Sequence, residues 1–68
     1  MGTTIHIWYE NIGMLANLCN KEGVKWTTKM AAKDCDGDMI YTFHMERSLS
    51  RQSQLEYQEK RLRKEEYA

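Results

Sequence analysis

An Asp-Gly pair lies between two stretches of alternating residues, and this arrangement constrains the fold more than any other part of the sequence. Residues 24–33, VKWTTKMAAK, and residues 39–46, MIYTFHME, each alternate between two sets of side chains. Such alternation is typical of half-buried strands, because successive side chains of a strand point to opposite faces of the sheet. Asp36-Gly37 between two strands is a strong hairpin signal. We therefore predict an antiparallel hairpin with a two-residue type I′ turn.

This turn also predicts how the two strands pair. With the Asp-Gly pair at the centre of the turn, Met30 lies opposite Phe43 and Thr28 lies opposite Met45. The mostly apolar set of one strand thereby meets the apolar set of the other, and a slip of one residue would destroy the match. The hairpin therefore has one face suited to a core and one polar face.

Three aspartates at the same turn, Asp34, Asp36 and Asp38, suggest a cation site as an alternative. An EF-hand calcium loop has alternating carboxylates, a glycine near its middle and a glutamate at its end. Here the glycine comes too early, and Met45 stands where the glutamate would be. The sequence therefore favours a polar turn over a calcium site, and we predict neither a metal nor another cofactor.

Two further elements precede the hairpin. Residues 3–9, TTIHIWY, are β-branched and aromatic and predict a strand. Residues 11–22 predict a helix, with Asn11 as the N-cap and Gly23 as the left-handed residue after its end. This linker is just long enough for a crossover between parallel strands. The helix is expected to cover one face of the sheet.

Residues 48–67 predict a second helix that is long and polar. Serines at its start and acid–base pairs four residues apart favour the helix. Its apolar content is thin, although Leu55 and Leu62 share a face because they are seven residues apart. Such a helix has little to bury against its own domain. We therefore expect Leu55, Tyr57 and Leu62 to contact a second copy or a partner, and we predict a homodimer.

Together these elements predict one α+β domain over residues 1–68. It is a small β-α-β-β-α fold with a three-stranded sheet, one helix on a face and a long polar C-terminal helix. A chain of 68 residues allows one domain at most. No apolar run is long enough for a membrane helix, so we expect no membrane partner. The N-terminus lacks the features of a signal peptide. We therefore expect a cytoplasmic protein whose Cys19 and Cys35 are free, partly buried thiols.

The face of the sheet opposite the first helix is the predicted interaction surface. Strand alternation places on it a tryptophan, two histidines and three lysines, namely Trp8, His6, His44, Lys25, Lys29 and Lys33. Tryptophan is a frequent anchor of protein interfaces, so we predict that this set binds a protein partner. Two alternatives remain open. The second helix can cover Trp8 and leave the lysines solvated, or the lysines can track phosphates while Trp8 stacks on a base.

Catalysis and metal binding have little support in the sequence. No set of nucleophile, base and orienting group is evident, and a short chain offers little room for a substrate pocket. His6, His44, Cys19 and Cys35 lack the short spacings of metal ligands.

We therefore predict a small stand-alone, non-enzymatic protein that binds and modulates or inhibits a protein partner. The alternative is a nucleic-acid-binding regulator that uses the three lysines, although ten acidic and ten basic residues give no net charge to drive such binding. In size and simplicity the chain resembles the small viral proteins that phages encode to bind host factors. This analogy assigns no residue.

Overall fold

The computed structural model describes residues 2–64. Its elements are β1 (Thr3–Trp8), a 3₁₀ turn (Tyr9–Asn11), α1 (Ile12–Glu22), β2 (Trp26–Lys33), β3 (Met39–Met45) and α2 (Arg51–Lys60). The strands form one sheet in the order β1-β3-β2, with both pairs antiparallel. A small α+β fold with a three-stranded sheet is thus confirmed.

The most apolar strand, β3, occupies the centre of the sheet. Since β1 and β2 both run antiparallel to β3, they run in the same direction as each other, and α1 connects them across it. A parallel crossover was expected from the length of this linker. The two strands that α1 connects, β1 and β2, are not adjacent in the sheet, because β3 lies between them and hydrogen-bonds to both.

Both helices pack on one face of the sheet. Ile7 of β1 and Phe43 of β3 are fully buried there against Leu15 and Cys19 of α1 and Tyr57 of α2. Each large apolar side chain buried in this way contributes about 1.5–3 kcal/mol to folding. The strand alternation placed Ile7 and Phe43 on this face correctly, but four other side chains that it assigned to the same face are exposed, namely Tyr9, Thr28, Met30 and Ala32.

The hairpin is present, but its register and turn differ from the prediction. Thr28 pairs with Phe43 and Met30 with Tyr41, so each partner lies two residues away from the predicted one. Because the offset is even, the side chains of Thr28 and Met30 stay on the predicted face. The type I′ turn is wrong, because it needs positive φ at both central residues and only Gly37 has one, at 85°. The side chain of Asp34 explains the difference. Its Oδ1 accepts hydrogen bonds from the backbone N–H groups of Asp36 and Asp38, each at 2.9 Å, and builds a longer loop.

The second helix is much shorter than predicted. It ends at Lys60, and Arg61 already has an extended backbone with ψ of 143°. Leu62 and Arg63 direct their N–H groups to the side chain of Asn11, at 2.9 and 3.0 Å, instead of to carbonyls of the preceding helical turn. Residues 65–67 of the predicted helix lie outside the described part of the chain.

Asn11 therefore has a different role from the predicted one. It makes no capping hydrogen bond with its side chain at the start of α1. Its amide is completely buried and also donates to the carbonyl of Arg63. Asn11 thus fixes residues 61–64, which we call the C-terminal strap, against the end of β1.

Candidate protein-binding surface

The sheet face turned away from both helices is uncovered by any helix of residues 2–64. Strand register arranges this open face in three rows across β1, β3 and β2. The rows are Thr4–His44–Thr27, His6–Thr42–Lys29 and Trp8–Ile40–Ala32. Two rows are polar and one is apolar. Of the predicted surface residues, the structure brings together His6, His44 and Lys29 here, and all three are exposed.

His44 is held in place on the open face. Its Nδ1 lies 2.8 Å from the hydroxyl of Thr4 on the neighbouring strand. On the other side, a Cβ at Gly2 would overlap the imidazole, so a larger residue there would displace the ring. The ring is therefore held between Thr4 and the chain at Gly2.

The side chain of Trp8 is buried, whereas the sequence predicted it near the surface. It is only 7% exposed. The Arg63 guanidinium lies 3.5 Å from the centre of the ring, and the indole Nε1 donates to the carbonyl of Lys64. The expectation of a tryptophan near the surface is thus wrong, because the C-terminal strap covers it. The alternative, in which the second helix covers Trp8, also differs from the structure, because α2 ends at Lys60 and the residues over the ring belong to the strap.

Arg63 is itself fixed by two carboxylates. Its Nη1 donates to Asp38 at 2.7 Å and lies 3.7 Å from Glu10. The hydrogen bond to Asp38 is the main reason why the pKa of Arg63 is raised. This arrangement connects the strap to the loop between β2 and β3 as well as to β1.

The three predicted lysines do not form one row. The register shifts by one residue between Met30 and Ala32, which is a β-bulge. As a result Lys29 pairs with Thr42 on the open face, while Lys33 pairs with Met39 and points to the helix side. Lys25 lies just before β2. A continuous track of lysines along one face, as expected for phosphate contacts, is therefore wrong.

The most exposed element of the sheet is β2. Every residue from Thr27 to Lys33 is exposed, including Met30 at 50%. Within residues 2–64 this strand pairs with β3 on one side and with nothing on the other. The outer side, here called the β2 edge, therefore presents backbone donors and acceptors to solvent. Sequence reasoning missed it, although the weakly apolar Thr28 and Ala32 at predicted core positions were a signal.

The aspartate cluster is explained by turn chemistry. One oxygen from each of Asp34, Asp36 and Asp38 lies within 4.8 Å of the others. However, Asp34 already accepts two backbone hydrogen bonds, and Asp38 is paired with Arg63. These bonds shape the loop and attach the strap to it.

The predicted contact residues of the second helix do not form a seam. Leu55 is 49% exposed and Leu62 is 77% exposed. They do not share a helix face, because α2 ends before Leu62. Tyr57 is 7% exposed and belongs to the core. The shortened helix removes the reason for which a homodimer was expected, and the dimer stays a prediction.

The two cysteines are free and lie in different environments. Cys19 is fully buried, and burial, with a smaller effect of Glu22, raises the pKa of its thiol. Cys35 lies in the loop between β2 and β3 and is exposed. The expectation that both are partly buried was therefore wrong for Cys35.

Comparison with known proteins identifies no relative: no protein-family model, curated protein or solved structure matches this chain. Neither helix in residues 2–64 has the length and apolar character needed to cross a membrane.

Proposed function

We propose that this chain is a non-enzymatic protein-binding module that modulates or inhibits its partner by adding an extended segment of that partner to the β2 edge. The observation that supports this proposal is the exposure of all residues from Thr27 to Lys33. Strand addition uses backbone hydrogen bonds for affinity and side chains on alternate faces for specificity. The other edge strand, β1, is less accessible at its ends, where Thr3 bonds to Ser48 and Trp8 to Lys64.

The charges on the β2 edge select the kind of segment that it accepts. Lys29 lies on one face and Lys33 on the other, on either side of the bulge. If two copies paired along this edge, the lysines of both would be brought to one seam, where like charges are unfavourable. Lysines and bulges are common devices that prevent edges from joining to themselves. The β2 edge thus favours a partner segment with Asp or Glu opposite the lysines.

Backbone pairing alone gives limited affinity. Each hydrogen bond contributes about 0.5–1.5 kcal/mol net, whereas association costs about 4–15 kcal/mol. Contacts to Met30 and the two lysines must therefore add to the affinity. Met30 suits this purpose because its flexible side chain adapts to the surface it meets.

A capture experiment tests the proposal. Wild-type protein and Lys29→Glu/Lys33→Glu are used as baits in nuclease-treated lysate, and Lys21→Glu is the control for charge reversal at an exposed site of α1. We expect a protein partner that binds wild type and the control but is lost with the double variant. In the complex, hydrogen exchange should slow at amides of 27–33.

Two results would contradict the proposal. One is a partner that the double variant retains without new protection in β2. The other is capture that disappears after nuclease treatment and falls steeply with salt, which would restore the nucleic-acid alternative.

A further inference from the structure

A second candidate site lies on the helix side of the sheet, away from the β2 edge. A half-open cavity of about 300 Å³ lies between the start of β1, the end of β3 and α2. Its apolar wall includes Ile5, Leu15, Leu49 and Tyr57, and its polar side includes Gln58 and Arg61. This volume is at the lower end of the range for small-molecule sites, about 300–1,000 Å³.

The polar side of the cavity includes Arg61, whose side chain makes no hydrogen bond within residues 2–64. The Nε of Arg61 is buried from solvent and has no hydrogen-bond partner within residues 2–64. This is unusual, because buried polar groups nearly always have a partner and an unmade bond is costly. Arg61 also has no ion pair among the described residues, whereas Arg47 and Arg63 each lie beside a carboxylate.

Three other polar side chains around the cavity, those of Thr3, Ser48 and Gln54, are already paired. The Gln54 amide donates to the carbonyl of Leu49 at 2.7 Å, and the hydroxyl groups of Thr3 and Ser48 lie 2.8 Å apart. The cavity therefore has one cation that lacks an acceptor, next to an apolar wall. A ligand that fits both features carries a single anionic acceptor group at one end and hydrocarbon at the other.

We propose that this cavity binds a small monocarboxylate with an apolar tail. The carboxylate accepts hydrogen bonds from the guanidinium of Arg61, whose fork of N–H donors matches a carboxylate. The tail lies against Ile5, Leu15 and Leu49. The size of the cavity suits a tail of about five to eight carbons.

Octanoate is the probe for this site, and octanol is the matched uncharged ligand. Titration of octanoate into isotope-labelled protein should shift the NMR amide signals of Thr3, Leu49 and Tyr57 in a saturable way. Octanol should bind about tenfold or more weakly, because it lacks the charge that makes the hydrogen bonds to Arg61 strong.

Substitution of Arg61 distinguishes a site specific for carboxylates from a cavity that binds apolar ligands of any kind. Arg61→Met should weaken octanoate binding by about ten- to a hundredfold, while Arg51→Met, at an exposed arginine at the start of α2, should bind like wild type. If Arg61→Met does not fold, Arg61→Lys is used instead. It keeps the charge but lacks the fork, and we expect a severalfold loss.

Three results would overturn the proposal. The first is that octanoate shows no saturable binding up to about 10 mM, which corresponds to a dissociation constant too weak for a specific site. The others are that octanol binds as tightly as octanoate, or that the folded Arg61 variant binds octanoate as tightly as wild type.

Discussion

Asn11→Ala tests how the C-terminal strap is held. The Asn11 side chain is completely buried, accepts from the N–H groups of Leu62 and Arg63, and donates to the Arg63 carbonyl. Each of these three hydrogen bonds contributes about 0.5–1.5 kcal/mol. Their loss should therefore lower the free energy of unfolding by about 1.5–4.5 kcal/mol. That is a large share of the stability of a chain this short, since native proteins have about 0.05–0.15 kcal/mol per residue.

The effect should be visible in a thermal melt followed by circular dichroism. For a domain of this size, 1 kcal/mol corresponds to about 4–8 °C in Tm. A loss near the middle of the range, about 3 kcal/mol, therefore lowers Tm by about 12–24 °C. Releasing the strap also withdraws Arg63 from Trp8, so tryptophan emission should change in the folded state at low temperature.

Asn17→Ala is the matched control, because Asn17 is an exposed residue of α1. Substitutions at such sites usually change stability by less than about 0.5 kcal/mol. Asn11→Asp adds a second comparison, since it keeps the acceptor and removes the donor to Arg63. If Asn11→Ala melts within about 3 °C of Asn17→Ala, a difference below 1 kcal/mol on the usual scale, the strap is not held by these bonds.

Three further predictions concern the helix junction, the hairpin loop and α1. The side chains of Ser50 and Ser53 donate to the Glu22 carboxylate, as does the Ser50 N–H, and lower its pKa from 4.5 to about 2. Since the folded pKa is depressed, this stabilisation is present above the unfolded pKa and is lost as pH falls toward the folded one. Glu22→Gln should therefore lower Tm at pH 7, and its Tm should converge with that of wild type as pH falls from 4.5 to about 2; curves that stay parallel would contradict this. Gly37→Val should cost about 1–3 kcal/mol in a denaturant melt because φ is 85° there. Gly13→Ala, whose Cβ meets nothing within 4 Å, should instead stabilise α1 by about 0.5–1 kcal/mol; an unchanged Gly37→Val melt would rule out strain in the loop.

The strands and their apolar face could be predicted because alternation is a local property. The side chains of Ile7 and Phe43 lie on the predicted side of the sheet whatever the exact pairing. For the same reason a register error of two residues left most of the hairpin unaffected. The bulge near Ala31 has no comparable signal, and it alone moves Lys33 to the other face.

Local sequence patterns could not predict that the C-terminal strap covers Trp8. Helix propensity and the acid–base pairs of residues 48–67 favour a continuous helix, whereas the strap forms through bonds to Asn11, which is distant in sequence. Asn11 has the right chemistry for an N-cap, and the competing long-range use of its amide appears only in the folded chain. Predictions of surface residues therefore fail first where the two ends of the chain meet.

The distribution of packing over the sheet explains why the two proposed sites are separate. The helices cover β1 and β3, whereas among the apolar side chains of β2, a strand that the structure describes in full, Trp26 alone packs against the core. The strap adds cover at the end of β1 through Trp8 and Arg63. Stability thus depends on one half of the molecule, and substitutions along the exposed part of β2 remove little buried area. A loss of partner binding by Lys29→Glu/Lys33→Glu at unchanged Tm would therefore report on recognition, whereas a loss of octanoate binding would report on the cavity beneath α2.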